Sequence, residues 1–204
     1  MGERFPTPSR EEIALLEPFE RIGIDRVSLV STGSQARRAL DALVGAAVLG
    51  FDTESKPTFA RNELSEGPHI VQLATLEHAY VFQLAESGCR EAVAQLLSAQ
   101  GLTKVGFGLG DDRRRIVSKL GVEPQAVVDL NDIFRRNGYR TDMGVRGATA
   151  VVFQRRFIKS RKATTSNWAH PRLSESQLLY AANDAWAALR IYRALGERPA
   201  TAAP

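Results

Sequence analysis

Residues 47 to 51 read Ala-Val-Leu-Gly-Phe, and the chain passes at once into Asp52-Thr53-Glu54. A continuous apolar run of strand length, without polar alternation, suits a strand covered on both faces, so Ala47 to Thr53 is expected to be a central strand. Such a strand needs helices above and below its sheet. Its end adds a second constraint. Side chains alternate along a strand, so Asp52 and Glu54 point one way and Thr53 the other. Two adjacent carboxylates repel, and one tends to stay protonated unless a cation joins them.

Two further acids stand in places that disfavour charge. Asp112 follows the glycine-rich stretch Val105-Gly106-Phe107-Gly108-Leu109-Gly110, and Asp184 interrupts the alanine-rich segment from Tyr180 to Leu189. A half-buried carboxylate costs several kcal/mol unless it is paired, hydrogen-bonded or bound to metal. Four such acids supply oxygen ligands without nitrogen or sulfur, which points to Mg2+ or Mn2+. Tyr180 and Asp184 are spaced i, i+4 and share one helix face. His69, His78, His170 and Cys89 show no ligand spacing, which argues against zinc. Neither a Gly-x-Ser-x-Gly elbow nor a P-loop is present.

Strand candidates are Arg26 to Ser31, Ala47 to Thr53, His69 to Leu76, Ala79 to Leu84, Lys104 to Phe107 and Ala126 to Leu130. Helices are expected over Gln35 to Leu43, Gly88 to Gln100, Asp111 to Leu120, Asp142 to Phe153 and Ser174 to Leu195, the last with Ser174 and Gln177 as a capping box. Residues 154 to 172 read as a basic loop. A three-strand meander followed by alternating strands and helices predicts an α/β domain with a mixed sheet covered on both faces. At 204 residues one domain is expected. It divides into a leader over 1–25 with a short helix opened by Ser9, a main domain over 26–196, and a disordered tail over 197–204.

Charge and cysteine usage narrow the partners. The net charge is +4, and five cations crowd the eight positions from Arg155 to Lys162. Arg113, Arg155, Arg156, Lys159, Arg161 and Lys162 are the candidate contacts to a polyanion. A single cysteine fits a reducing compartment, and a cytoplasmic location is expected. Apolar runs are too short to span a membrane, and a polar N-terminus argues against a signal peptide. Gly106-Phe107-Gly108 with Asp129 imitates a dinucleotide fingerprint. Its third glycine is replaced by Asp111, with Asp112 behind, and two carboxylates there would repel a pyrophosphate. No nucleotide cofactor is expected.

Together these segments resemble the DEDDy branch of the DnaQ-like 3'-5' exonucleases. Gly50-Phe51-Asp52-Thr53-Glu54 is similar to the first exonuclease motif, and Val105 through Asp112 to the second. Ser166-Asn167-Trp168 with Leu173 through Asp184 is similar to the third. The resemblance runs from about residue 26 to 195. It implies a ribonuclease-H-like fold with a five-stranded mixed sheet flanked by helices. It also implies hydrolysis of DNA or RNA from a free 3' end, releasing nucleoside 5'-monophosphates with two divalent ions about 4 Å apart. By resemblance Asp52 bridges both ions and Glu54 and Asp184 complete the one at the attacking water. Asp112 holds the second, and Tyr180 orients the water. The register leaves Asp111 as the alternative to Asp112. The motifs do not separate a DNA enzyme from one of the ribonuclease D or oligoribonuclease kind. A catalytically silent nucleic-acid-binding or proofreading module is a further alternative. The chain reads as a stand-alone enzyme of unknown oligomeric state.

Overall fold

The computed structural model describes residues 5–57, 66–139 and 141–196, and only the backbone of Asp111 and Arg161. The expected disordered tail, residues 197–204, lies outside the described residues. In chain order the elements are α1 (Arg10–Ala14), a 3-10 turn (Ile24–Arg26), β1 (Val27–Val30), α2 (Gly33–Leu43), β2 (Val48–Glu54), β3 (Ile70–Ala74) and β4 (Ala79–Gln83). There follow α3 (Ser87–Ser98), β5 (Thr103–Gly106), α4 (Leu109–Leu120), β6 (Val127–Asp129), α5 (Leu130–Arg136), α6 (Gly144–Phe153), α7 (Arg161–Thr164) and α8 (Glu175–Ala194).

The strands form one six-stranded sheet in the order β1-β4-β3-β2-β5-β6. β2, β3 and β4 are the antiparallel meander. β5 lies parallel to β2, and β6 parallel to β5. The resemblance implies five strands; the six segments read from the residues all form. β1 runs parallel along β4, from Val27 opposite Ala79 to Val30 opposite Phe82, and covers an edge that would otherwise be unpaired.

Each strand divides its side chains between two cores, as period two demands. On one face Val48, Ile70, Ala74, Val81 and Val105 pack under α8 and α6. On the other Leu49, Phe51, Val71, Leu73 and Phe82 pack under α2, α3 and α4. Both faces are therefore apolar, which explains the unbroken run ahead of Asp52.

The segment before β1 is stitched to the same body. Phe19 and Ile22 are buried in the α8-side core. The Asn183 side chain accepts from Ile22 N at 3.0 Å and donates to Ile22 O at 3.3 Å. Ser9 and Glu12 form a capping box on α1, as Ser174 and Gln177 do on α8.

Three expectations change. The stretch 154 to 172 is not a surface loop, because Phe157, Ala163 and Trp168 are buried and α7 lies within it. α5 was not expected. α4 begins at Leu109 rather than Asp111, because Gly108 turns with φ of 67° and the Asp129 carboxylate accepts from Leu109 N at 2.9 Å. The same carboxylate accepts from Asn131 N at 2.9 Å and starts α5. The acid in the position of a dinucleotide fingerprint thus holds two helix starts.

Candidate active site

Gly50 sets the depth at which α8 lies on the sheet. A Cβ there would stand 1.9 Å from Ala185 O and 2.7 Å from Ala185 C, so the backbone of α8 rests directly on β2. That close approach delivers Asp184 beside the end of β2. One carboxylate oxygen from each of Asp52, Glu54 and Asp184 lies within 4.8 Å of the others, an arrangement able to hold a metal ion. Asp184 is buried and the other two are half-buried. Gln72, opposite Asp52 in the β2–β3 register, is buried with no hydrogen-bond partner for its amide atoms among the described residues.

Tyr180 lies one turn before Asp184 and is buried against Trp168, with ring centroids 5.8 Å apart. Thr164 Oγ1 donates to Tyr180 Oη at 3.3 Å, and Gln177 Nε2 donates to Ser166 Oγ at 3.1 Å. The Ser166-Asn167-Trp168 segment is thereby docked on the first turns of α8. Lys159 comes from the irregular segment before α7. Its Nζ lies 2.7 Å from Asp184 Oδ2 and 4.8 Å from the Tyr180 ring centroid. Lys159 thus meets Asp184 by charge and by hydrogen bond, and the Tyr180 hydroxyl also bonds to Asp184.

The electrostatics follow from this crowding. Burial pushes the Asp52 carboxyl well above the usual carboxylate range; Asp184 and Asp112 push it further, and Lys159 opposes them. Burial, then Asp52 and Asp184, raise Glu54 to about 9. Burial also raises Asp184, against Lys159, Tyr180 and Arg146. Burial works to lower Lys159, but Asp184 and the Tyr180 oxygen hold it above its usual value. Burial, with Asp184 next, raises the Tyr180 hydroxyl to about 12, so it is a protonated donor at neutral pH. Three carboxyls that resist ionisation together are what a divalent cation relieves. The residues therefore fit a hard, oxygen-preferring ion.

Asp112 is placed differently. It is not one of the three clustered acids; it accepts from Thr53 Oγ1 at 2.7 Å. Thr53 points to the face opposite Asp52 and Glu54, so Asp112 reaches the strand end from the α4 side. Its charge still raises both Asp52 and Glu54. Gly106 permits this, since a Cβ there would stand 2.3 Å from Phe51 O.

The six expected cations separate. Arg155 and Lys162 are exposed. Arg113 is exposed and ion-paired with Glu123. Arg156 is half-buried and donates from Nη1 to Ala14 O at 2.8 Å, tying the leader to the segment after α6. The Arg161 side chain lies outside the description. Lys159 joins the acids instead of facing outward. Arg146, whose charge favours ionised Asp184 and whose Nη2 donates to Lys159 O at 3.4 Å, was not anticipated. No spacing signals either residue, because irregular chain brings in Lys159 and the packing of α6 brings in Arg146.

Comparison with known proteins agrees with this geometry. The 3'-5' exonuclease family profile matches residues 27–198. A 3'-5' exonuclease of Arabidopsis thaliana is 29% identical over 157 residues, covering 76% of this chain and 54% of that protein. The bifunctional 3'-5' exonuclease/ATP-dependent helicase WRN of Mus musculus is 29% identical over 158 residues, covering 76% of this chain and 11% of that protein. The chain thus spans about half of one relative and a small part of the other. Among solved structures, the Aedes aegypti Nibbler EXO domain superposes with a TM-score of 0.72 at 22% identity, covering 86% of this chain and 89% of that one. Trypanosoma brucei RNase D superposes with a TM-score of 0.75 at 20% identity, covering 86% of this chain and 66% of that one. At these identities the structures speak for the fold alone. The profile match takes in every strand and the whole of α8, and the chain therefore belongs to the 3'-5' exonuclease family.

Proposed function

We propose that the protein is a metal-dependent 3'-5' exonuclease acting on nucleic acid with a free 3' end. The observation that carries the reading is the convergence of Asp52, Glu54 and Asp184 within 4.8 Å, beneath a protonated tyrosine. Asp52, Glu54 and Asp184 hold the ion or ions, Mg2+ or Mn2+ by the hardness of the donors. Asp112, anchored through Thr53, serves the same site from the α4 side. When bound, such ions activate water and stabilise the attacking and leaving oxygens of phosphodiester hydrolysis. The chain's own contribution is position. Tyr180, fixed by Trp168 and Thr164, presents its hydroxyl beside Asp184 and orients the attacking water. Burial excludes bulk water and strengthens every charge interaction in the site.

RNA remains a candidate substrate beside DNA, because one similar fold is that of Trypanosoma brucei RNase D in complex with RNA U12. One experiment tests the activity and separates the substrates. The protein is incubated with 5'-labelled single-stranded DNA, recessed duplex DNA and RNA, with Mg2+ or Mn2+, beside an Asp52→Ala control. Shortening from the 3' end in the wild type alone is expected, and the most degraded lane identifies the substrate. Both ions should also raise the wild-type melting temperature but not that of Asp52→Ala. No degradation in any lane would leave a silent binding module as the better reading.

A further inference from the structure

Lys159 does not behave as its neighbours in the basic run do. Its ammonium touches Asp184 Oδ2 and lies over the Tyr180 ring, and its charge favours ionisation of Asp52 and Glu54 as well. One cation thus acts on all three acids of the cluster. Burying those acids without any cation would be costly, because unpaired buried charge destabilises a fold by several kcal/mol. Resting on the metal-site reading above, we propose that Lys159 is a built-in counter-ion, so that metal loading exchanges one cation for another.

The surrounding structure suits an exchange by side-chain movement alone. On one side of Lys159, Phe157 is buried in the core. On the other, Ser160 caps α7 through Ala163 N at 3.3 Å. The Lys159 carbonyl accepts from Arg146. The backbone is therefore held, while the lysine stem is flexible and carries a single point charge. A divalent ion brings twice the charge and takes several oxygens at once, so it out-competes one ammonium for this cluster. Lys159 also lines a groove of about 420 Å³ together with Arg10, Arg146, Arg156 and Ile158. The displaced ammonium has that groove to enter, and its basic lining suits a phosphodiester backbone. The arrangement keeps the metal-free protein folded and makes the site choose multivalent cations over monovalent ones.

The test compares wild type with Lys159→Met, which keeps the length of the side chain and removes its charge. Mn2+ binding is measured by calorimetry, and melting is followed in EDTA and in Mn2+. Lys159→Met should melt lower in EDTA, gain more from Mn2+, and bind Mn2+ roughly tenfold more tightly than wild type. Equal or weaker Mn2+ binding by a folded Lys159→Met protein overturns the proposal and leaves the acid site intact. Absence of Mn2+ binding by the wild type removes the metal site itself. Wild-type protein supplies a second measurement that does not depend on the variant folding. Acylation of Lys159 by an amine-selective reagent, read by peptide mass spectrometry, should speed up several-fold when Mn2+ is added. An unchanged or slower rate also overturns the exchange.

Discussion

A methyl group at residue 50 would meet Ala185 O at 1.9 Å, Ala185 C at 2.7 Å and Leu189 Cβ at 3.2 Å. The first two atoms are backbone, so no rotamer change relieves them. A carbon and a carbonyl oxygen approach to about 3.3 Å, so α8 must withdraw from β2 by on the order of 1.4 Å. Overpacking of this kind costs about 1–3 kcal/mol. The upper end applies here, because α8 spans the sheet and cannot yield at one residue alone. For a chain of this size about 3 kcal/mol lowers the melting temperature by roughly 6–12 °C. The chemical effect should be larger. Asp184 is carried by α8 and its two partner acids by β2, so the withdrawal opens the carboxylate cluster directly. A misplacement of about 1 Å costs on the order of 100-fold in rate. Gly50→Ala is therefore expected to melt well below wild type, to lose most of its stabilisation by Mn2+, and to cleave about 100-fold more slowly. Thermal melts with and without Mn2+ and a 5'-labelled oligonucleotide assay measure all three. A variant that melts within about 2 °C of wild type and keeps its Mn2+ response refutes the close-packing argument.

Separate substitutions of the two candidate acids on α4 should differ. Asp112→Ala removes the acceptor of Thr53 and should slow cleavage by about 10- to 100-fold, as loss of groups supporting a metal site does. Asp111→Ala should stay near wild type, and the reverse ranking would move the assignment to Asp111. Lys104 gives a pH signature away from the site. It is fully buried with Nζ donating to Ala99 O at 2.9 Å, and burial lowers it from 10.5 to about 8. Between those values the unfolded chain binds more protons than the folded one, so this group makes stability rise with pH across that window. Chemical denaturation from pH 7 to 10.5 should show the wild type gaining stability relative to Lys104→Met. A constant difference between the two would contradict the burial of a charged lysine there.

Much of this site was readable residue by residue. The run Ala47 to Phe51 and the alternation after it placed Asp52 and Glu54 on one face of a buried strand, and β2 has that form. The i, i+4 spacing of Tyr180 and Asp184, with a capping box at Ser174, placed both on one helix face, and α8 presents them so. Such readings succeed because period and capping are local properties. They fail where chain without a period folds inward. The basic composition of residues 154 to 172 suggested solvent, yet Phe157, Ala163 and Trp168 are core residues and carry Lys159 in with them. Arg156, expected as a contact to phosphate, also ties Ala14 to the segment after α6, a structural role that no linear pattern signals.

The sequence alone determined the six strands and the long final helix, the faces of β2 and α8, and the oxygen-only chemistry of the acids, since each follows from spacing and residue type. Tertiary structure decided the rest. Contact between β2 and α8 at Gly50 brought Asp184 to Asp52 and Glu54. The approach of α4 to the strand end attached Asp112 to Thr53, on the side away from the three clustered carboxylates. Burial, which no linear pattern reports, turned Lys159 from one cation among several into the charge that holds those acids together.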